Sequence, residues 1–179
     1  MKIRFKKEAL IYDIANISFV IADIHPEINL EALHQLQDVC QGGNLDRVAR
    51  ILGLAFSRVT DIMAPILKQR HPEKDVKDRS AEVRDYILII EESKLAGNIP
   101  CHKTGLSGRI SADTGQNIRN IVHEYLVCRV VADRLSVVMP ALAGVWREKA
   151  AIAEEALSIV TTQLLTSQNM AWRRNIHPF

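Results

Sequence analysis

Aromatic residues are scarce in this chain, at 5% of its 179 residues, so aliphatic side chains must supply most of a buried core. Cysteine is scarce as well: there are three, an odd number with no C-x-x-C pair, which favours a reducing, intracellular location. The longest nearly apolar run, Leu135 to Trp146, falls short of the ~20 residues that a membrane-spanning helix needs. We therefore expect an intracellular, cytoplasmic protein with no membrane contact.

The plentiful residues indicate a single domain of amphipathic helices. Hydrophobic residues make up 47% of the chain and charged residues 25%, and the length suits one domain. Six of the 23 basic residues lie near the two ends: Lys2, Arg4, Lys6, Lys7, Arg173 and Arg174. The remaining 17 are outnumbered by 21 acidic residues, so the body is mildly acidic. We expect one domain over residues 1–179, with a basic N-terminal segment at 1–7 and a C-terminal arm at 167–179.

The strongest pattern is an apolar stripe that steps by three and four residues along one long helix. Its members are Leu45, Val48, Leu52, Ala55, Val59, Ile62 and Ile66. We expect Asn44 to cap this helix and Pro65 to kink or end it. Similar stripes predict helices over about 8–24, 29–41, 112–139 and 141–165. The first of these places five residues inside: Leu10, Ile14, Ile17, Ile21 and Ile24.

The last two helices differ in how their apolar residues are spread. Apolar residues cover most of the circumference of the helix that precedes Pro140, so we expect it to be the central helix. The final helix carries a narrower stripe that we expect to face the core: Leu142, Val145, Ile152, Ala156, Ile159 and Leu164. Arg129 and Asp133 are four residues apart, which predicts an ion pair on the surface of one helix.

Two short segments have strand-like patterns. Charged and apolar side chains alternate from Lys2 to Lys6, and Tyr86 to Ile90 is rich in branched and aromatic residues, although its flanks look helical. A pairing between the two explains both patterns. Residues 97–114 hold three glycines and a proline and predict the longest loop. The predicted fold is mainly α: a single-domain helical bundle of about five helices. The pairing of the two strand-like segments would add a small two-stranded β element at residues 2–6 and 86–90.

The long third helix also has the residue types of a DNA-reading helix-turn-helix. Small, apolar and turn-forming residues fall at suitable places between Leu45 and Met63, with Gly53 near the turn. The helical stripe, however, passes Gly53 without a change of phase, and Asp61 would face the phosphates. We favour a continuous core helix and keep a DNA-binding regulator using residues 45–63 as the alternative.

Three motif fragments suggest chemistry that their surroundings do not support. Residues 97–104 differ by His102 from a phosphate-binding G-x-x-x-x-G-K-[ST] loop, and more loop follows them. Cys101 adjoins His102, but adjacent side chains seldom meet as nucleophile and base. The pair His123-Glu124 lacks the second histidine of H-E-x-x-H, because Val127 stands there. We expect no catalytic residue, no metal site and no cofactor.

Three segments together resemble a known group of proteins. They read D-R-V-A-R-I-L-G-L-A-F-S-R-V at 46–59, H-E-Y-L-V-C-R-V-V-A-D-R-L-S-V-V-M-P at 123–140 and R-R-N-I-H-P-F at 173–179. The group comprises small, mainly helical, functionally uncharacterised proteins of Bacteroidetes tailed phages and prophages. Arg134 departs from the resemblance, since an aromatic residue is expected there. The resemblance implies a virion or assembly component and carries over no functional residue.

The predicted function is therefore that of a non-enzymatic helical interaction or assembly protein, plausible as a phage or prophage structural component. We expect protein partners or self-association, and a virion-associated location if the protein is phage-encoded. The basic ends leave open whether nucleic acid is also contacted. The candidate interaction residues are Lys2, Arg4, Lys6, Lys7, Lys103, Arg109, Trp172, Arg173 and Arg174.

Overall fold

Helices account for most of the residues that the computed structural model describes, which are 1–25, 30–39, 42–67, 85–90 and 112–174. In chain order they are strand β1 (Lys2–Phe5), helices α1 (Lys7–Ile24), α2 (Leu30–Gln37) and α3 (Gly42–Met63), strand β2 (Tyr86–Ile89), and helices α4 (Ala112–Val138) and α5 (Pro140–Arg174). Four of these helices are long and α2 is short. The prediction of a mainly α bundle with a small β element is confirmed.

Helix α4 is the centre of the bundle, as its sequence predicts. It contacts α1, α2, α3, α5 and β1. Its side chains with at most 1% exposure are Ile118, Val122, Leu126, Val130, Val131 and Leu135. The helix ends at Val138, and Pro140 begins α5, because the fixed φ of proline suits a first helical position. Since Met139 is the whole connection, α4 and α5 are antiparallel neighbours.

Helix α3 is continuous through Gly53, as its unbroken stripe predicts. Four stripe residues are at most 4% exposed: Val48, Leu52, Ala55 and Val59. The helix ends at Met63, two residues before Pro65. The DNA-binding alternative needs a turn near Gly53, and α3 has none. The prediction that Asn44 caps this helix is wrong, because the helix already begins at Gly42 and the Asn44 side-chain amide instead donates a 2.8 Å hydrogen bond to the Asp38 carbonyl.

The two strands pair antiparallel, with Lys2 opposite Ile89 and Phe5 opposite Tyr86. Side chains alternate across β1, so Ile3 and Phe5 are buried while Lys2 and Arg4 are exposed. The N-terminal ammonium donates a 2.8 Å hydrogen bond to the carbonyl of Ile90 and extends the pairing by one residue. The predicted strand pair is confirmed, and residues 86–89 are strand.

Helix α5 turns only part of its predicted stripe to the core: Leu142 and Leu164 pack against the core, and most of the buried face is formed by other residues. Among its described side chains, the buried ones are Ala143, Ala150, Ala153, Leu157 and Thr161. Three residues of the predicted inner stripe are instead about half exposed or more: Val145 at 48%, Ile152 at 61% and Ile159 at 49%. Small side chains allow the backbone of α5 to approach α4 closely, so the alanine face packs inward and the larger branched side chains point outward.

Several predicted boundaries also need correction. Helix α5 continues to Arg174, so residues 167–174 of the predicted C-terminal arm are helical. Helix α4 begins at Ala112, so the last three residues of the predicted 97–114 loop are helical, and the rest of that loop lies outside the described residues. Helix α2 ends at Gln37, four residues earlier than predicted. Ile24, predicted to be inside, is 64% exposed in the last turn of α1.

Candidate functional site

The basic N-terminal segment lines a groove between β1, α1 and α4. The pleat of β1 turns Arg4 outward, and Lys6 follows as an exposed residue just before α1. Helix α4 contributes Arg119 from the opposite wall. The groove has a volume of about 680 Å³, and its polar lining also includes Asn120, His123 and Glu124. The fold thus brings two residues singled out from the sequence together with Arg119, which sequence reasoning missed.

One cation of this groove is neutralised by Asp85. The guanidinium of Arg4 forms a hydrogen-bonded ion pair with the Asp85 carboxylate, which also accepts a 3.2 Å hydrogen bond from the main-chain N–H of Lys7. The Arg4 hydrogen bond is the main cause that lowers the pKa of Asp85 below its ordinary value. Asp85 therefore satisfies a first-turn N–H of α1 as well as Arg4. Within the described residues, Lys6 and Arg119 form no ion pair.

A side-chain hydrogen bond between α1 and α4 separates this groove from a smaller one. The Nε2 atom of His123 lies 2.9 Å from a carboxylate oxygen of Asp13. Beyond it, a groove of about 440 Å³ extends to Cys128 and to Trp146, whose ring lies 4.6 Å from the Nζ atom of Lys149. Trp146, predicted to be core, packs half-buried at the edge of the core.

The side chains of these grooves are mainly charged and polar, and they can bind groups of complementary charge. Burial is the main cause that raises the pKa of the Cys128 thiol, so the thiol stays protonated and weakly nucleophilic near neutral pH. A search of the described part of the chain finds no group of three histidine, cysteine or carboxylate side chains placed to hold a metal ion.

Among the side chains of α5 that the structure describes, the large apolar ones that are exposed form a row that we call the α5 stripe: Val145, Ile152 and Ile159. Its members are seven residues apart, which is close to two helical turns, so they lie in line along the side of α5 opposite the core. Exposed acidic residues, Glu148 and Glu155, lie beside the row. Sequence reasoning missed this surface because the same residues were assigned to the core. The alanines at 143, 150 and 153 were the available signal for the true inner face.

The other candidate interaction residues are only partly covered by the structure. Lys2 is exposed on β1 and Lys7 is half-buried in the first turn of α1. Lys103 and Arg109 lie outside the described residues. Trp172, Arg173 and Arg174 fall in the last turn of α5, and their side chains are outside what the structure describes. The basic residues at the two ends are therefore not shown to form one surface.

Comparisons with protein-family models, with curated proteins and with solved structures find no match for this chain. None of the helices in the described ranges combines the length and the apolar character that a membrane-crossing segment requires.

Proposed function

We propose that the protein is a non-enzymatic interaction protein that docks a basic, amphipathic helix of a partner protein on the α5 stripe. The sequence resemblance supports a phage or prophage setting, in which the partner is another component of a virion or of its assembly machinery. The observation that carries the proposal is the exposure of three branched side chains in one row, on a helix whose opposite face is fully packed.

The spacing of the stripe suits a second helix laid along α5. Residues seven apart give one contact every two turns, which is the spacing at which a packed helix presents its own anchors. Because each side chain is about half exposed or more, covering one of them contributes on the order of 1 kcal/mol. Three such contacts support a modest affinity, to which complementary charges add specificity.

The charges beside the stripe favour a basic partner over a second copy of this chain. Glu148 lies between Val145 and Ile152, and Glu155 lies between Ile152 and Ile159. Two copies of α5 packed antiparallel through the stripe place these carboxylates near one another, because both glutamates lie on the same flank of the row. Like charges at such positions disfavour the pairing, whereas lysine or arginine on a partner helix pairs with both glutamates.

The experiment is a titration of the full chain against a fluorescent synthetic helix of about three heptads, with leucine at positions a and d and arginine at e and g. We expect binding with a Kd on the order of 100 μM, and a loss of about tenfold or more in Ile152→Glu. The matched control is Val20→Glu, because Val20 is a 52% exposed apolar residue on a different helix, α1.

Each other outcome contradicts part of the proposal. A peptide with glutamate at e and g that binds equally well removes the charge argument. A wild-type dimer in sedimentation velocity that Ile152→Glu dissociates makes a second copy the occupant. Equal peptide binding by wild type and Ile152→Glu, or no binding by either, removes the stripe as a docking surface.

The basic N-terminal segment is proposed as a second contact surface. Lys6 and Arg119 present cations in its groove, and both protein carboxylates and nucleic-acid phosphates are suitable partners. Anisotropy of a labelled random-sequence duplex separates these possibilities. Binding that weakens steeply with salt and is reduced in Lys6→Gln indicates nucleic acid, and no binding at low salt leaves protein.

A further inference from the structure

A third groove, between α3, α4 and α5, is rich in arginine. It has a volume of about 500 Å³, and its charged lining comes from all three helices: Arg58 from α3, Arg129 and Asp133 from α4, and Arg147 and Glu154 from α5. It does not involve the α5 stripe or the basic N-terminal segment. Its arginines are available to bind a ligand only if the carboxylates of the protein do not already engage them.

Both carboxylates of this groove are already engaged. Asp133 accepts hydrogen bonds from Arg47, at 2.8 Å from Nη2 and 3.2 Å from Nε. Glu154 accepts a 2.9 Å hydrogen bond from the Nε of Arg58, whose Nη2 lies 2.7 Å away. The prediction that Asp133 pairs with Arg129 along α4 is wrong, because Arg47 reaches Asp133 from the neighbouring helix α3.

The guanidinium groups of Arg129 and Arg147 are therefore not engaged by these two carboxylates. In the ranges that the structure describes, neither Arg129 nor Arg147 forms an ion pair, and both are exposed. Counting the groove together with Arg47, four arginines stand against two carboxylates, which gives a net charge of two positive units. Arginine presents a planar fork of N–H donors that matches two oxygens of a phosphate group.

We propose that this groove binds a small molecule carrying a phosphate group, held by Arg129 and Arg147. A phosphate monoester carries close to two negative charges near neutral pH, which balances the excess of the groove. The volume falls within the range of small-molecule sites, so an organic body fits beside the phosphate. Leu54, which is 67% exposed, provides an apolar wall for that body. The carboxylates of Asp133 and Glu154 oppose a long polyanion, which favours a single phosphate group over a nucleic-acid strand.

The test is calorimetric titration of the full chain with phenyl phosphate and, separately, with inorganic phosphate. We expect phenyl phosphate to bind with a Kd on the order of 1 mM or tighter, and inorganic phosphate several-fold more weakly because it makes no contact with Leu54. The double variant Arg129→Gln with Arg147→Gln is expected to weaken binding about tenfold or more. The affinity of Arg129→Lys for phenyl phosphate is expected to lie between that of wild type and that of the double variant. Lysine keeps the positive charge but lacks the planar pair of N–H donors that arginine presents.

The control variant is Arg50→Gln, which removes an exposed arginine of α3 that does not line the groove. Wild-type affinity in Arg50→Gln together with loss in the double variant supports the site. No heat of binding at about 10 mM phenyl phosphate, equal binding by the double variant, or equal loss in Arg50→Gln overturns the proposal. Because Ile152→Glu is expected to retain phosphate binding, failure of this proposal is distinguishable from failure of the helix-docking function.

Discussion

The guanidinium of Arg134 in α4 donates a 2.9 Å hydrogen bond to the main-chain carbonyl of Leu36, in the last turn of α2. Arg134 is 8% exposed, so this contact is made inside the bundle. The last carbonyls of a helix have no partner within the helix and carry a partial negative charge. A cation from the central helix therefore fixes the end of the short helix.

Replacement of Arg134 tests this contact. We expect Arg134→Ala to lower the free energy of unfolding by about 2 to 3 kcal/mol, because a charged hydrogen bond is lost and a buried carbonyl loses its donor. Arg134→Met, which keeps an unbranched apolar side chain, is expected to lose less. Urea denaturation followed by circular dichroism measures both. An unchanged midpoint in Arg134→Ala contradicts the assignment.

Gly53→Ala distinguishes a continuous helix from a turn in α3. A Cβ atom added at Gly53 meets no atom within 4 Å, so the substitution gains helix propensity at no steric cost. We expect the free energy of unfolding to rise by about 1 kcal/mol. Destabilisation by a similar amount is the result expected of a glycine required by a turn, and it argues for the DNA-binding alternative.

Gly115 in α4 provides a control for the Gly53→Ala substitution, because a side chain at this position has less space. A Cβ atom at Gly115 in α4 lies 2.6 Å from the sulfur of Met1, so Gly115→Ala requires the Met1 side chain to move. The stabilisation is expected to be smaller than in Gly53→Ala. Parallel urea curves of the two variants provide the measurement.

The ion pair of Arg4 and Asp85 predicts a pH dependence of stability. The pKa of Asp85 is lower in the folded protein than in the unfolded chain, so its contribution is fully present above the unfolded value and is lost as the pH falls. We expect Asp85→Asn to have a lower Tm than wild type at pH 7. The difference should shrink below about pH 4, where the unfolded carboxyl becomes protonated.

The double variant Arg4→Gln with Asp85→Asn is the control for that measurement. If the ion pair is the source of the lower Tm, Arg4→Gln lowers the Tm less in the Asp85→Asn background than it does in wild type. Additive losses in Tm would show instead that Arg4 and Asp85 act on stability separately.

Leu126→Ala probes the contact of α4 with its neighbours. Leu126 is 0% exposed at the middle of the central helix, and truncation leaves a cavity that surrounding side chains fill only in part. We expect a loss of about 2 to 5 kcal/mol. The same change at the 67% exposed Leu54 should cost less than about 0.5 kcal/mol, and equal losses at the two sites would contradict the placement of the core.

Local periodicity was sufficient to predict most elements of this fold. The stripe of α3 predicts a helix that passes through Gly53, because a turn would have changed its phase. The alternation from Lys2 to Phe5 predicts a strand, and Pro140 marks the boundary between the last two helices. These patterns depend on neighbours along the chain, which a sequence displays directly.

The inner face of α5 could not be predicted in that way. The helix has a row of branched residues on one side and a row of alanines on the other, and apolarity does not choose between them. The choice depends on how closely α5 approaches α4, which is a tertiary property. The composition of the candidate sites could not be predicted from local patterns for the same reason. Arg119 lines the groove of Lys6, and Arg47 pairs with Asp133, although in both cases the residues are far apart in the sequence.

Pairing of β1 with β2 also sets an order of events during synthesis. Phe5 and its partner Tyr86 are 81 positions apart, so at ~5 to 20 residues per second the first strand waits roughly 4 to 16 s for the second. During that interval the nascent chain carries Ile3 and Phe5 with no sheet partner. The charges of Lys2, Arg4 and Lys6 then protect an incomplete edge from other chains near the ribosome.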